Sequence, residues 1–273
     1  MRTERKICTE DGAHGEKTGC GQFLKGYPGS AQFQRGQFLR SRQYVRRMRG
    51  TDMIESRAFQ EAYEKFYNAG IIPVVVFSDV KEALPLGECL MKGGLPAAEV
   101  TFRTDAAEES IRILRQNYPD LFVGAGTVLT IDQADRAIDA GARFIVSPGF
   151  DPAIVQHCID RDVPVCPGTQ TPSEMIAAMN MGLDHVKFFP AELSGGVKMI
   201  NAIGAALTKL KFMPTGGVSA SNAAEYLRCE RVFCAGGSWM VKKDLMQAGE
   251  WDTILGLVKE ASAIVRKVRT AAE

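Results

Sequence analysis

The stretch Lys211-Phe-Met-Pro-Thr-Gly-Gly217, echoed by Val232-Phe-Cys-Ala-Gly-Gly-Ser238, decides how the chain is expected to fold. Each is a short apolar run that ends in a glycine pair and is followed by a helical pattern. A short apolar run bounded by turn residues reads as a buried parallel strand. Working outward, the same unit recurs upstream at Ile71–Phe77, Ala97–Phe102, Leu121–Gly126, Phe144–Ser147, Val163–Cys166 and His185–Phe189. With Lys211–Pro214 and Val232–Ala235 the strands number eight. The segments between them carry helix punctuation. Ser56 caps an N-terminal helix that Gly70 stops, Asp79 and Asp105 open others, Pro152 and Pro172 sit in first turns, and Ser219 caps a helix through Leu227. A last helix spans about Trp251 to Val268. Strands alternating with helices imply parallel β structure and right-handed crossovers. A doubly wound open sheet satisfies that alternation too. The count of eight, and glycine-rich turns after the seventh and eighth strands, favour the α/β class in its (β/α)8 TIM-barrel form, whose phosphate site lies at those two turns.

The 273 residues include 45% apolar and 24% charged side chains, the make-up of an ordinary globular enzyme. A net charge of +1 makes no overall case for a nucleic-acid partner. It hides an asymmetry, because residues 1–52 hold eleven bases against five acids, which leaves the remainder at −5. That segment, rich in Gly, Gln, Arg and Ser, reads as a flexible basic extension, with residues 53–273 as the folded unit. Four acids in the first sixteen residues argue against a transit peptide. The seven cysteines show no CxxC spacing and no zinc motif, which points to reduced thiols and a cytoplasmic location. No apolar run approaches the ~20 residues of a membrane span. The three histidines, His14, His157 and His185, form no ligand cluster and read as structural, so neither metal nor cofactor is expected.

In such a barrel the working residues sit at the C-terminal ends of the strands. Lys187 stands out there, because it lies among Val186, Phe188 and Phe189 in an apolar strand. Desolvation disfavours an ammonium ion, and the neutral amine is the form that attacks a ketone. A lysine that snorkels to the rim or pairs with an acid is the bland alternative. Glu99, between Ala98 and Val100, is the second anomaly, as a buried partner for Lys187 or as a general acid/base. Arg103 stands where it can clamp a carboxylate in bidentate fashion or make a surface ion pair. Thr127 and Thr171 offer hydroxyls to a pocket or to helix caps. Gly216, Gly217, Gly237 and Ser238 form a candidate anion cradle of backbone N–H groups, against the alternative of tight turns.

Taken together, the strand ends resemble one family. The segments Glu99-Val-Thr-Phe-Arg-Thr104, Val123-Gly-Ala-Gly-Thr-Val128, Ser147-Pro-Gly149, Val186-Lys-Phe-Phe-Pro-Ala-Glu192, Pro214-Thr-Gly-Gly-Val218 and Gly236-Gly-Ser-Trp239 are similar, in order, to 2-dehydro-3-deoxy-6-phosphogluconate (KDPG) aldolase and its overlap with 4-hydroxy-2-oxoglutarate (KHG) aldolase. The resemblance covers about residues 54–268. It implies a metal-free class I aldolase of the Entner–Doudoroff pathway that forms a homotrimer. Lys187 is then the Schiff-base lysine and Glu99 the acid/base. Arg103 and Thr127 hold the pyruvoyl carboxylate, Phe189 walls the pyruvate pocket, Pro148 is a further substrate-binding residue, and Thr171 is a pocket threonine. Gly216, Gly217, Gly237 and Ser238 take the phosphate. The pair Thr169-Gln170 departs from the more apolar residues of the family pattern, and the basic extension has no counterpart in it. Three rivals stand: an aldolase for the galactonate-derived epimer, a barrel that binds phosphorylated ligands or serves as a scaffold without catalysis, and a nucleic-acid-associated protein acting through the Arg-rich tail.

Overall fold

The computed structural model describes Ile54 and residues 56–270, so the expected basic extension lies outside the described residues. Within them the chain alternates strand and helix. The elements are α1 (Arg57–Ala69), β1 (Ile71–Val75), α2 (Ala83–Gly93), β2 (Ala97–Thr101), α3 (Ala106–Asn117), β3 (Phe122–Gly126), α4 (Ile131–Asp139), β4 (Ile145–Val146), α5 (Pro152–Asp160), β5 (Val165–Cys166), β6 (Gly168–Thr169), α6 (Pro172–Asn180), β7 (His185–Phe188), α7 (Gly196–Ala206), β8 (Lys211–Pro214), α8 (Ala223–Arg228), β9 (Ala235–Gly237), α9 (Lys243–Ala248) and α10 (Trp251–Arg269).

Every strand pairing is parallel. One curled sheet runs β5-β4-β3-β2-β1-β9 and a second runs β6-β7-β8. Isolated bridges Phe212↔Val232 and Thr215↔Gly236 join the β8 edge to the β9 side. The other junction between the sheets is Pro167. A proline has no N–H to give the ladder, so the strand that pairs with β4 stops at Cys166. It resumes at Gly168 against β7, while the Pro167 carbonyl accepts from Lys187 N at 2.9 Å. Thus the fifth expected strand is two short strands. The eighth is shifted, because pairing covers Ala235–Gly237 rather than Val232–Ala235. The helix expected to start from Ser219 begins at Ala223, because Asn222 Oδ1 accepts from Ser219 N at 2.8 Å and closes the preceding turn.

Two cores follow from the period-2 alternation of the strands. The larger lies between one strand face and the helices, and includes Val75, Val100, Ala125, Ile145, Val165, Val186 and Phe212. The smaller gathers the opposite strand face: Ile72, Ala97, Phe122, Phe144, Val146, Cys166, Met213 and Cys234. Helix α1 inserts Ala62, Phe66 and Ala69 into this second core. Ser56 caps α1 by accepting from Ala58 N at 3.1 Å, and Gly70 ends it. The Phe66 ring meets Phe122, Phe144 and Phe233 edge-on, at centroid distances of 5.0, 4.6 and 5.7 Å. Tyr63 stacks on His185 at 3.6 Å. Burying one such phenyl ring is worth about 1.5–3 kcal/mol, so α1 is held by side-chain packing. It also fills the end of the strands opposite to the one where Lys187 and Glu99 face the loops.

Candidate active site

Strand register brings the two anomalous charges together. Glu99 pairs with Gly124 across β2–β3, and Lys187 pairs with Gly168 and Met213 across β6–β7–β8. Both side chains belong to the smaller-core face. Lys187 is 5% exposed and Glu99 0%. Lys187 Nζ donates to Glu99 Oε1 at 3.3 Å and lies 5.4 Å from the Phe189 ring centroid. A lone buried charge is costly, so each ion makes the other tenable. Glu99 Oε2 is buried and has no hydrogen-bond partner among the described residues. A proton crossing from Lys187 to Glu99 yields an amine and a carboxylic acid, which are the nucleophile and acid that imine chemistry needs.

Gly126 is what allows Glu99 to lie there. A Cβ added to Gly126 would stand 2.5 Å from Glu99 Cγ and 2.7 Å from Cδ, and closer still to Oε1. Next to it, Thr127 holds φ at 55°, a conformation that β-branched residues rarely take. Such strain costs of order 1–3 kcal/mol and clusters at functional sites. Arg103, exposed at the rim of β2, donates Nε to Thr101 Oγ1 at 3.2 Å, and its guanidinium forms no ion pair among the described residues. Pro148 packs its carbonyl against Gly168, closing the gap between the loop after β4 and β6.

On the far side of Lys187 lie the glycine turns. Gly216 and Gly217 both hold positive φ, 93° and 85°. A Cβ at Gly217 would stand 2.5 Å from Glu192 Cβ and Cγ, so only glycine lets this loop close on the turn after β7. The Gly216 carbonyl accepts from Glu192 N at 3.1 Å and the Gly217 carbonyl from Asn222 Nδ2 at 3.0 Å. With the carbonyls tied down, the loop has its peptide N–H groups to offer an anion. Gly237 is buried at the end of β9 and Ser238 is exposed beside it.

Two further positions stand at the strand ends, Thr171 in the cap role that was one of its two expected readings, and Thr215. Thr171 is the N-cap of α6. Its Oγ1 accepts from Glu174 N at 3.4 Å and Glu174 Oε2 accepts from Thr171 N at 2.8 Å, which together form a capping box, and the Thr171 hydroxyl also donates to Glu174 Oε2 at 2.9 Å. Thr215, not among the expected site residues, is buried two residues beyond Met213 on the Lys187 face. Its Oγ1 is buried without a hydrogen-bond partner among the described residues. The alternation that runs from Met213 to Thr215 was the available signal. Buried thiols flank the pair as well. Burial pushes the Cys166 thiol up, the Lys187 ammonium partly opposes this, and the Glu99 carboxylate adds to it. Cys234 is raised by burial and then by Cys166 and Glu99. Both are therefore neutral walls of the pocket at neutral pH.

The sequence model of the KDPG and KHG aldolases matches residues 63–257. The chain belongs to the KDPG and KHG aldolase family. A 2-dehydro-3-deoxy-phosphogluconate aldolase of Haemophilus influenzae is 44% identical over 207 residues, which are 76% of this chain and 98% of that protein. Among solved structures, KDPG aldolase from Legionella pneumophila, with pyruvate captured as a covalent carbinolamine, is 38% identical. It superposes with a TM-score of 0.71 over 73% of this chain and 97% of that one. The 2-keto-3-deoxy-6-phosphogluconate aldolase of Zymomonas mobilis, bearing 3-phosphoglycerate, is 36% identical with a TM-score of 0.71, over 76% and 97% of the two chains. As a member of this aldolase family the chain is a lyase. Among the described residues no helix is long and apolar enough to cross a membrane, and no group of three or more His, Cys, Asp or Glu is placed to hold a metal ion.

Proposed function

We propose that the protein is a class I aldolase that cleaves 2-dehydro-3-deoxy-6-phosphogluconate to pyruvate and glyceraldehyde 3-phosphate, and 4-hydroxy-2-oxoglutarate to pyruvate and glyoxylate. The observation that carries this reading is the 3.3 Å contact between buried Lys187 and buried Glu99 at the strand ends of a family aldolase. Lys187 adds to the C2 ketone, and loss of water gives an iminium. Glu99 takes the proton of the C4 hydroxyl, the C3–C4 bond breaks, and its electron pair moves into the iminium to form an enamine. Glyceraldehyde 3-phosphate leaves. The enamine is protonated at C3, and water hydrolyses the imine to release pyruvate. In this reading Arg103 and Thr127 hold the carboxylate, Phe189 and Pro148 wall the pyruvate pocket, and Thr215 presents its free hydroxyl to the reacting carbons. Gly216, Gly217, Gly237 and Ser238 take the phosphate. Thr171 supports the loop after β6 as a cap.

The same reading extends to architecture. The bridges from β8 to β9, the covalent continuity through Pro167, and one inner core shared by both sheets support closure into a (β/α)8 barrel formed by residues 53–273. Exposed Leu129, Ile131 and Leu193 suit the homotrimer, which light scattering tests.

The deciding experiment incubates the protein with pyruvate and borohydride and maps the adduct by mass spectrometry, with Lys187→Ala alongside. A reduced pyruvoyl group on Lys187, absent from the variant, is expected. A folded wild-type protein that gives no adduct ends the Schiff-base reading.

A further inference from the structure

Gln170 stands at the rim of the site, and nothing in the mechanism above uses it. It directly follows β6, where Gly168 pairs with Lys187 and Thr169 with Phe188, so Gln170 stands level with Phe189. Alternation places it on the same strand face as Gly168, one layer above the Lys187 amine. Its backbone is anchored, because Glu174 Oε2 accepts from Gln170 N at 2.9 Å. Its side chain crosses to the next loop, where Nε2 donates to Ser194 Oγ at 2.9 Å. Ser194 ends the short turn Glu192–Ser194, the same turn that closes on Gly217. The amide therefore spans from the strand beside Lys187 to the turn supporting the anion loop. It stands exposed at the rim, with its carbonyl Oε1 making no hydrogen bond among the described residues.

We propose that Gln170 is a specificity-determining residue that reads the hydroxyl-bearing middle of a long phosphorylated 2-oxo acid. This rests on the aldolase reading, which places the C2 imine carbon at Lys187 and the phosphate at Gly216 and Gly217. The stretch of substrate joining those points carries hydroxyls. A carboxamide offers both an acceptor and donors to them, whereas a smaller or apolar residue at this rim offers none. 4-Hydroxy-2-oxoglutarate ends at C5 in a carboxylate, so it has no hydroxyl beyond C4 for the amide to read and no phosphate to draw it towards the anion loop. The Gln170–Ser194 contact holds the amide in place before substrate arrives, so little rotamer freedom is lost on binding.

The test measures kcat/KM of the full chain on both substrates for wild type, Gln170→Ala and Ser194→Ala, with pyruvate–borohydride trapping and the thermal midpoint of each. For Gln170→Ala the phosphorylated substrate is expected to lose about tenfold, the worth of one hydrogen bond. The short substrate, the pyruvate adduct and the thermal midpoint stay unchanged. Ser194→Ala, which loosens the amide but keeps it, is expected to lose less. Equal loss on both substrates, no loss on either, or equal loss in the two variants with a lowered midpoint overturns the inference. A wild-type protein that forms no pyruvate adduct overturns the aldolase reading, and this one with it.

Discussion

Gly126→Ala tests whether catalysis depends on where the Glu99 carboxylate sits. The new methyl carbon would stand 2.5 Å from Glu99 Cγ, whereas real Cβ atoms keep beyond 3.0 Å and pack comfortably at 3.4 Å. Glu99 must therefore retreat by 0.5 to 0.9 Å. It has little room, since it is fully buried and its neighbour Gly124 is filled by the Phe144 ring. Overpacking of this kind costs about 1–3 kcal/mol of stability. Displacing a positioned catalytic group by ~1 Å costs on the order of 100-fold in rate. The expected result is kcat lowered by about 100-fold on the phosphorylated substrate, while pyruvate still yields a borohydride-trapped adduct on Lys187. The assay couples pyruvate release to lactate dehydrogenase, with adduct mass and thermal midpoint measured in parallel. A variant that folds and keeps kcat within about threefold, well short of the 10²–10⁴ that a positioned acid/base supplies, would refute the role given to Glu99.

Thr127→Gly relieves the positive φ of 55°; the variant is expected to gain up to about 1 kcal/mol in denaturant unfolding while KM for pyruvoyl substrates rises, and a stability loss contradicts the strain. Burial raises Cys158 to about 12 and raises Cys166, Cys234 and Tyr63 as well. Groups raised on folding stabilise fully below their unfolded values and lose that contribution as pH rises, so the thermal midpoint should fall from about pH 8.5 upward, at roughly 1.4 kcal/mol per pH unit for each thiol. A midpoint that stays flat to pH 10.5 would count against buried neutral thiols. For Glu174, burial alone would raise the carboxyl, but hydrogen bonds from Gln170 N, Thr171 N and the Thr171 hydroxyl outweigh it and leave a net lowering. Its contribution is therefore present above about pH 4.3 and lost as pH falls through the lowered value. Thr171→Ala should cost about 1 kcal/mol at pH 7 and less at pH 3, where the bond from Glu174 N to Thr171 Oγ1 is what remains to be lost, and equal costs at both would contradict the hydroxyl-to-carboxylate bond.

What was legible in the sequence was whatever side-chain contrast could signal. Lys187 and Glu99 stood out because a charge in an apolar strand is rare, and register then joined them across two sheets. The ends of the strands were less legible. Gly236 and Gly237 carry no side chain to continue an apolar pattern, yet their backbones pair with Ile72 and Pro73, so the last strand was read too early. The expected fifth strand stops at Cys166, whereas the Pro167 carbonyl still serves β7 and pairing resumes at Gly168. Thr171 has the spacing of both a cap and a pocket group, and the bonds to Glu174 show the cap. Thr215 continues the alternation from Met213 past the end of β8, and its face becomes plain only once the register is known.

Helix α1 has a consequence for how the chain is assembled. It leaves the ribosome before every strand it packs against, and its aromatic seat is completed only by Phe122, Phe144, His185 and Phe233. Contacts so distant in sequence pay their loop-closure entropy late. During synthesis the seat of Phe66 stays incomplete until Phe233 is made, although Phe122 and Phe144 precede it. Nascent chains that end before Phe233 should therefore be cut by protease within α1, and chains released at full length should not. The helix nearest the start of the folded unit thus completes its seat only after Phe233 is made, and its docking marks the completion of the inner core.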